Sequence, residues 1–472
     1  MPGTGPVLTL HPDRLLPVDP TTRAVARRLH EAAADAPIWS PHGHVDPALL
    51  VEDRPFTDPA SLLVTPDHYV TRLLHADGVP LDRLGVGRGP LDERSARVVW
   101  RAFCERWPIF AGTPVRTWLE SELVEVLGVD RRPSAATADA LFDTISDRLA
   151  SPDLRPRALY DRFRLQVLAT TDDPAGDLAA HRALTADPTF TGRVVPTFRP
   201  DRYLEVGAPD WPSAAALLGE AADTDVSTHA GFLAALEARR HYFVAQGATS
   251  ADHSHADARA EPLADAQAER IHRLALRREA TAEEADALRR HLVLESARMS
   301  CEDGLVMTLH PGVHRGHHGP TVARFGSDTG SDVPRRAEFV EALRPLLDRF
   351  GTHPGFHLVL FTLDETCWSR ELAPLAGFYP SVHVGVPWWF LDAPEALRRF
   401  RHATMESAGF TRTSGFVDDT RAYCSIPARH DVARRVDAGV LAELVVQHRL
   451  AEDEASDIAV ALTGQARAVF KL

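Results

Sequence analysis

Cysteine is scarce in this sequence: Cys104, Cys301, Cys367 and Cys424 are the only four in 472 residues, dispersed and without a Cys-x-x-Cys pair. That excludes a zinc ribbon, argues against a disulfide framework and fits a reducing cytoplasm. Long apolar runs are missing as well. No stretch approaches the ~20 residues that a membrane span requires, so no membrane association is expected. The opening MPGTGPVLTLHPDRLLP lacks the basic start and long apolar core of a signal peptide. Nor is there an excess of positive charge: the formal net charge is −14, which would repel nucleic-acid phosphates, and no nucleic-acid partner is expected. A few local arginines can still invert the field inside a cleft, so a small anionic substrate stays open. Low-complexity tracts and solenoid repeats are absent. With 44% hydrophobic and 25% charged residues, the chain has a globular composition, long enough for one large barrel with insertions or for several smaller domains.

What recurs is a short β-prone run ending in His, Asp, Arg, Thr or Trp. In order the runs are IWSPHGH (38–44), LQVLATTDD (165–173), VVPTFRPD (194–201) and GATSADHSH (247–255). Then come GLVMTLHPG (304–312), HLVLFTLDE (357–365), VHVGVPWW (382–389) and TSGFVDDTR (413–421). Amphipathic stretches such as AERIHRLALRREATAEEADALRRHL (268–292) lie between most of them. Strands alternating with helices predict an α/β fold, either an open doubly wound sheet or a (β/α)8 TIM-type barrel. Chemistry-bearing residues at the run ends favour the barrel, in which those ends share one mouth. Runs four and eight carry the weakest strand signal, being short and polar.

About 120 residues separate the first run from the second, far more than an ordinary βα connection. DHYVTRLLHADGV (67–79) and ERSARVVWRAFCERW (93–107) read as helices, so a helical insertion is expected between strands 1 and 2. The expected division is an N-terminal segment with the first barrel strand (1–51), a helical insertion or lid (52–160) and the rest of the barrel (161–472). The turn Gly85-Val86-Gly87-Arg88-Gly89 lacks the Lys-Ser/Thr ending and the preceding strand of a phosphate loop.

His42 and His44 end the first run two residues apart, a spacing that sends both imidazoles to one side. Two neutral imidazoles suit a divalent transition metal, completed by a carboxylate or further histidine. His310 after the fifth run and Asp419 in the eighth are plausible neighbours, and strands one and eight are adjacent in a closed barrel. Four histidines fall between His310 and His318; His314, His317 and His318 read equally well as a solvated loop. Arg199 and Arg421 suit a bidentate clamp on a substrate carboxylate, or else pair with Asp201 or Asp418. Asp172 and Asp173 read as a helix cap or as support behind the site. Tyr69 reads as a packed aromatic unless the insertion folds over the mouth. Trp388 and Trp389 read as core, or as a stacking surface for a sugar ring.

Taken together and in order, these motifs resemble the uronate (glucuronate) isomerase family of the amidohydrolase superfamily, over nearly the whole chain. The resemblance rests on His42-Gly43-His44, Asp67-His68-Tyr69, Thr170-Thr171-Asp172-Asp173-Pro174 and Pro196-Thr197-Phe198-Arg199-Pro200-Asp201. It continues through Leu309-His310, Trp388-Trp389-Phe390, Asp419-Thr420-Arg421 and Arg429-His430 with Arg434-Arg435. It implies aldose–ketose isomerisation of hexuronates, D-glucuronate to D-fructuronate and D-galacturonate to D-tagaturonate, in a cytoplasmic homo-oligomer such as a trimer. By the same resemblance, His42, His44 and Asp419 hold a divalent metal, with zinc expected. Tyr69, Asp419 and His310 are then catalytic, and Arg199, Arg421, Trp388, Trp389 and His68 surround the sugar acid.

That chemistry suits the residue types. Asp419 is the expected base for ring opening at the C5 hydroxyl. Tyr69 is the expected carrier of the C2 proton to C1 through an enediol, its pKa lowered from ~10 by Arg199 and Arg421. The sequence departs from the family pattern at Arg315-Gly316-His317-His318, at Pro387, at the Ser-Pro before His42 and in an extra residue before Arg429. The main alternative is a metal-dependent hydrolase of an amide, ester or lactone on the same barrel. Its two-metal form is disfavoured because run four, GATSADHSH, offers no bridging lysine. A non-catalytic sugar-acid binder is the third reading.

Overall fold

The computed structural model describes residues 6–472. The first five residues of the opening stretch searched above for a signal peptide lie outside the described residues. Seven of the eight expected runs form strands. They are β1 (Ile38–Ser40), β2 (Leu165–Ala169), β3 (Val194–Val195), β4 (Ser250–His253) and β5 (Val306–Leu309), then β8 (Leu358–Leu360) and β9 (Val382–Val384). Between β5 and β8, β6 (Val313–His314) and β7 (Val333–Pro334) form a small antiparallel ribbon. β1-β2-β3 and β4-β5-β8-β9 are parallel sheets. Parallel neighbours need long crossovers, and helices such as Trp211–Ala222 and His229–Ala245 supply them. The strands are short but almost wholly buried: Val306, Met307, Leu309, Leu358, Val359, Leu360, Val382 and Val384 are sealed between barrel interior and outer helices.

Backbone hydrogen bonds link the runs beyond the two sheets. Phe198 N–H donates to Ser250 O (3.1 Å) and Asp252 N–H to Phe198 O (2.9 Å), joining run three to run four. Ser414 N–H reaches Val384 O (2.8 Å), and His44 N–H reaches Thr420 O (2.9 Å), so run eight lies between β9 and run one. The fold is an α/β barrel.

Run eight itself is not a strand. It keeps a single parallel bridge, Thr413 to Val384. Gly415 at φ +76° and Asp419 at φ +40° break the extended conformation at both ends of the stretch. A Cβ on Gly415 would stand 2.3 Å from the Ala466 backbone nitrogen, so both the turn and the close approach require glycine. Gly415→Ala should therefore destabilise the fold by about 2 kcal/mol or more, read as a lowered urea midpoint at unchanged slope. A loss below about 0.5 kcal/mol would mean the segment relaxes freely.

The stretch expected as one helical pattern at 268–292 is two helices, Asp265–Leu276 and Ala282–Asp303. Arg278 turns at φ +61°, and Thr281 and Glu284 form a capping box that restarts the helix. Between β1 and β2 the chain is helical, including His68–Ala76 and Glu93–Glu105. These helices bury Trp100, Trp107 and Trp118 in the hydrophobic cluster that also contains the barrel residues Leu309 and Leu360. Tyr69 is thus carried on an element packed as firmly as the barrel itself. Among the described residues, no helix is long and apolar enough to cross a membrane.

Candidate active site

The C-terminal ends of the strands open into a cavity of about 450 Å³, lined by His42, His44, Asp67, His68, Tyr69, Arg199, His310, Trp388, Trp389, Asp419 and Arg421. All ten residues that the resemblance assigns to the metal, catalysis or the sugar acid are among its walls. Thr171, Thr420 and Arg315, Ser327 and Asp328 complete it. The last three come from the loop between β6 and β7.

His42 and His44 lie just beyond β1, with rings 5.3 Å apart and nearly perpendicular. Gly43 between them lets run one lie close to run eight, and its carbonyl accepts from Thr171 Oγ1 (2.9 Å). Both imidazoles converge on Asp419 Oδ1, His44 Nε2 at 3.1 Å and His42 Nε2 at 3.5 Å. One ligand atom from each of the three lies within 4.8 Å of the others. Burial pushes the His42 pKa down, against the opposing pull of Asp252 and Asp419, which keeps it a neutral lone-pair donor. Burial alone would raise Asp419; His44, His42 and His310 outweigh it and hold the carboxyl far below the usual range. Two imidazoles and one carboxylate form a donor set that fits a divalent metal.

Asp252 is a buried acid at the site that the sequence reading did not single out. It is buried on β4, where its Oδ1 accepts from His310 Nε2 (2.8 Å). Its Oδ2 lies 3.0 Å from Arg199 Nη1 and 3.8 Å from His42 Nε2. Run four lacks a lysine but does carry this carboxylate, and the register of SADH pointing Asp252 inward was the available signal. A carboxylate oxygen can only accept, so His310 donates from Nε2 and turns Nδ1 away from Asp252. Nδ1 is buried without a protein partner, and the Trp388 ring lies 4.8 Å from the imidazole.

The arginines divide. Arg199 is held by Asp201 (2.9 Å) and Asp252 (3.0 Å), so the expected ion pair with Asp201 exists at the cavity wall. Arg421 does not pair with Asp418, which instead accepts from Ser40 Oγ and faces His430 Nε2 (3.1 Å each). Its nearest carboxylate is Asp328 at 3.8 Å, a carboxylate that also stands 3.7 Å from Arg315. Of the histidine-rich loop, His314, His317 and His318 are exposed and outside the cavity wall.

Tyr69 is the second residue of the helix His68–Ala76, where the Asp67 cap accepts its N–H (2.8 Å). Its ring stacks on His68 at 4.5 Å and meets Trp118 edge-on at 5.7 Å. The expected lowering of its pKa by Arg199 and Arg421 does not occur. Burial raises it well above 10; the arginine that opposes this is Arg429, and Asp419, Asp392 and Asp67 add to the rise. Tyr69 is therefore a neutral phenol. Trp389 and Asp419 both hold left-handed backbone, at φ +53° and +40°. Such non-glycine conformations cost about 1–3 kcal/mol each and persist where packing enforces them, commonly at functional sites.

A barrel mouth carrying a His/His/carboxylate cluster, a His–Asp pair, a buried phenol and arginines defines an enzyme for a small anionic substrate. Comparisons with known proteins narrow this. Residues 20–461 match the family model described as glucuronate isomerase. A uronate isomerase of Cutibacterium acnes is 53% identical, over 96% of each chain. Two crystal structures superpose closely. The glucuronate isomerase of Caulobacter crescentus has a TM-score of 0.96 at 43% identity, covering 99% of this chain and 98% of its own. The uronate isomerase of Thermotoga maritima has a TM-score of 0.91 at 27% identity, covering 98% and 99%. The chain belongs to the glucuronate isomerase family. It is an isomerase, and the hydrolase and non-catalytic readings are set aside.

Proposed function

We propose that the chain interconverts D-glucuronate and D-fructuronate, and D-galacturonate and D-tagaturonate, by moving a proton between C2 and C1 through an enediol. The observation that carries this reading is the convergence of the His42/His44/Asp419 cluster, the His310–Asp252 pair, Tyr69 and two arginines on one cavity. A lysine Schiff base is not available as an alternative. The only lysine, Lys471, binds the carbonyls of Gly304 and Gly355 before β5 and β8, at the other end of the strands.

Opening the hemiacetal removes the proton from the anomeric hydroxyl and breaks the C1–O5 bond. The C5 hydroxyl is where a proton arrives in this direction, so the base is needed at C1. Asp419, ionised and buried, accepts the anomeric proton and delivers it to O5 as the C1–O5 bond breaks, which returns it to the carboxylate. The C2–H bond then requires a base in its unprotonated form, which the neutral phenol of Tyr69 is not. His310 Nδ1, with its other nitrogen fixed by Asp252, takes the C2 proton and returns it to C1. Tyr69 donates its proton to O1 as the enediol forms and takes the O2 proton back as the ketose carbonyl forms, so the phenol is restored. Arg199 and Arg421 hold the substrate carboxylate, with Arg421 exchanging its long contact to Asp328 for it. Trp388 and Trp389 form an apolar wall for the sugar, with His68 beside them.

His42, His44 and Asp419 would hold a divalent metal, with zinc proposed, which would supply a cation to polarise a sugar oxygen. We further propose that segment 52–160 is the lid of a barrel formed by 1–51 and 161–472. A cytoplasmic homo-oligomer such as a trimer, with no nucleic-acid or membrane partner, is the assembly this reading carries.

The test is to incubate the protein with each uronate in D2O and follow ketose formation and deuterium at C1 and C2 by NMR. Ketose and exchange-linked deuterium are expected with D-glucuronate. Absence of both with both sugars would remove the proposed substrates.

A further inference from the structure

Arg429 is not part of the cavity wall, yet three pieces of the site meet on it. It sits in the helix Ile426–Val446 and is 1% exposed. Its Nη1 donates to Asp392 Oδ2 (2.7 Å) and, at 3.4 Å, to the backbone carbonyl of Asp418; its Nε donates to Ser425 Oγ (3.0 Å). The guanidinium lies 3.6 Å from the centre of the Trp118 ring and 5.3 Å from that of Tyr69. It thus touches the insertion through Trp118 and Tyr69 and the tryptophan loop through Asp392. It reaches run eight one residue before Asp419.

A buried ion pair of this kind is a weak source of stability, because the desolvation of both ions offsets their attraction. The geometry matters more. A planar cation stacked on one aromatic and fixed at its edge by a carboxylate has one orientation, so the elements bearing Tyr69 and Asp419 cannot shift independently.

We propose that Arg429 is a positioning residue for the isomerisation: it locks Tyr69 against the barrel in register with run eight without contacting the sugar. The inference rests on the proposed role of Tyr69 as proton donor.

The test replaces the pair together, Arg429→Met with Asp392→Asn, so that Asp392 is not left as an unpaired buried charge, beside the conservative Arg429→Lys. For the double variant, displacement of a reacting group by about 1 Å predicts a roughly hundredfold fall in kcat. KM should move by less than about threefold, because substrate binding is untouched. The isotope effect on kcat with C2-deuterated glucuronate should rise, as C–H transfer becomes more nearly rate-limiting. Arg429→Lys, which keeps the charge but not the planar stack, should recover only part of kcat. Adding either change to Tyr69→Phe should cost little further turnover. The inference is overturned if kcat and the isotope effect stay at wild-type values. Loss confined to KM, loss that only tracks folded fraction or metal content, or full additivity with Tyr69→Phe would overturn it too. A Tyr69→Phe enzyme that still turns over would instead remove the underlying reading of Tyr69.

Discussion

Tyr69→Phe should reduce turnover of both uronates by about 10²- to 10⁴-fold, the range for loss of a positioned proton donor. The substitution removes only the hydroxyl. The stack on His68, the edge contact with Trp118 and the Asp67 cap on the backbone N–H all survive it. Among the described residues, the phenol has no protein hydrogen-bond partner, so its loss leaves no buried group unpaired. Thermal stability and metal content should therefore match wild type. The measurement is kcat for both sugars alongside a melting curve. Turnover within about tenfold of wild type would exclude the hydroxyl from the chemistry.

Asp419→Asn should have the larger effect, because one change removes two functions. The carboxylate is the point on which His42 and His44 converge, and it is ionised because three imidazoles outweigh its burial. A neutral amide neither balances a dication nor accepts the anomeric proton. Turnover should fall by about 10³-fold or more, and bound divalent metal should fall well below one per chain. Elemental analysis and kcat on the same preparation separate the outcomes. Full metal with lost turnover leaves Asp419 as a base alone. Lost metal with retained turnover would confine it to coordination and make the metal dispensable. Wild-type values of both would exclude Asp419 from either role.

Much of this site was readable from short-range pattern. Two histidines at i and i+2 after a β-prone run point the same way whatever surrounds them. The arginines, His310 and the tryptophans were recognisable because each ends a run, and parallel strands in a barrel bring such ends together. The Thr281/Glu284 capping box is also a local signal, four residues long, inside the helical pattern at 268–292.

What was not legible depends on distance and burial. Asp252 is one acidic residue in a polar run; only the fold sets it between His310 and Arg199. Arg429 and Asp392 are separated by 37 positions and lie on a helix and a loop with no local signature of pairing. The rise in the Tyr69 pKa is not legible in sequence, which shows the arginines without showing that burial outweighs them, or that Arg429 is the one acting on the phenol. Run eight looked like a strand from its residues, but Gly415 and Asp419 turn it.

The sequence by itself determined the alternation of elements, the family and the residue types at the mouth, because periodicity and i, i+2 spacing are local properties of the chain. Only the tertiary structure decided which acids are ionised, which phenol stays protonated and which arginine is free for a substrate. Those depend on desolvation and on charges brought within a few ångströms by contacts far apart in sequence, where the low dielectric makes each of them large.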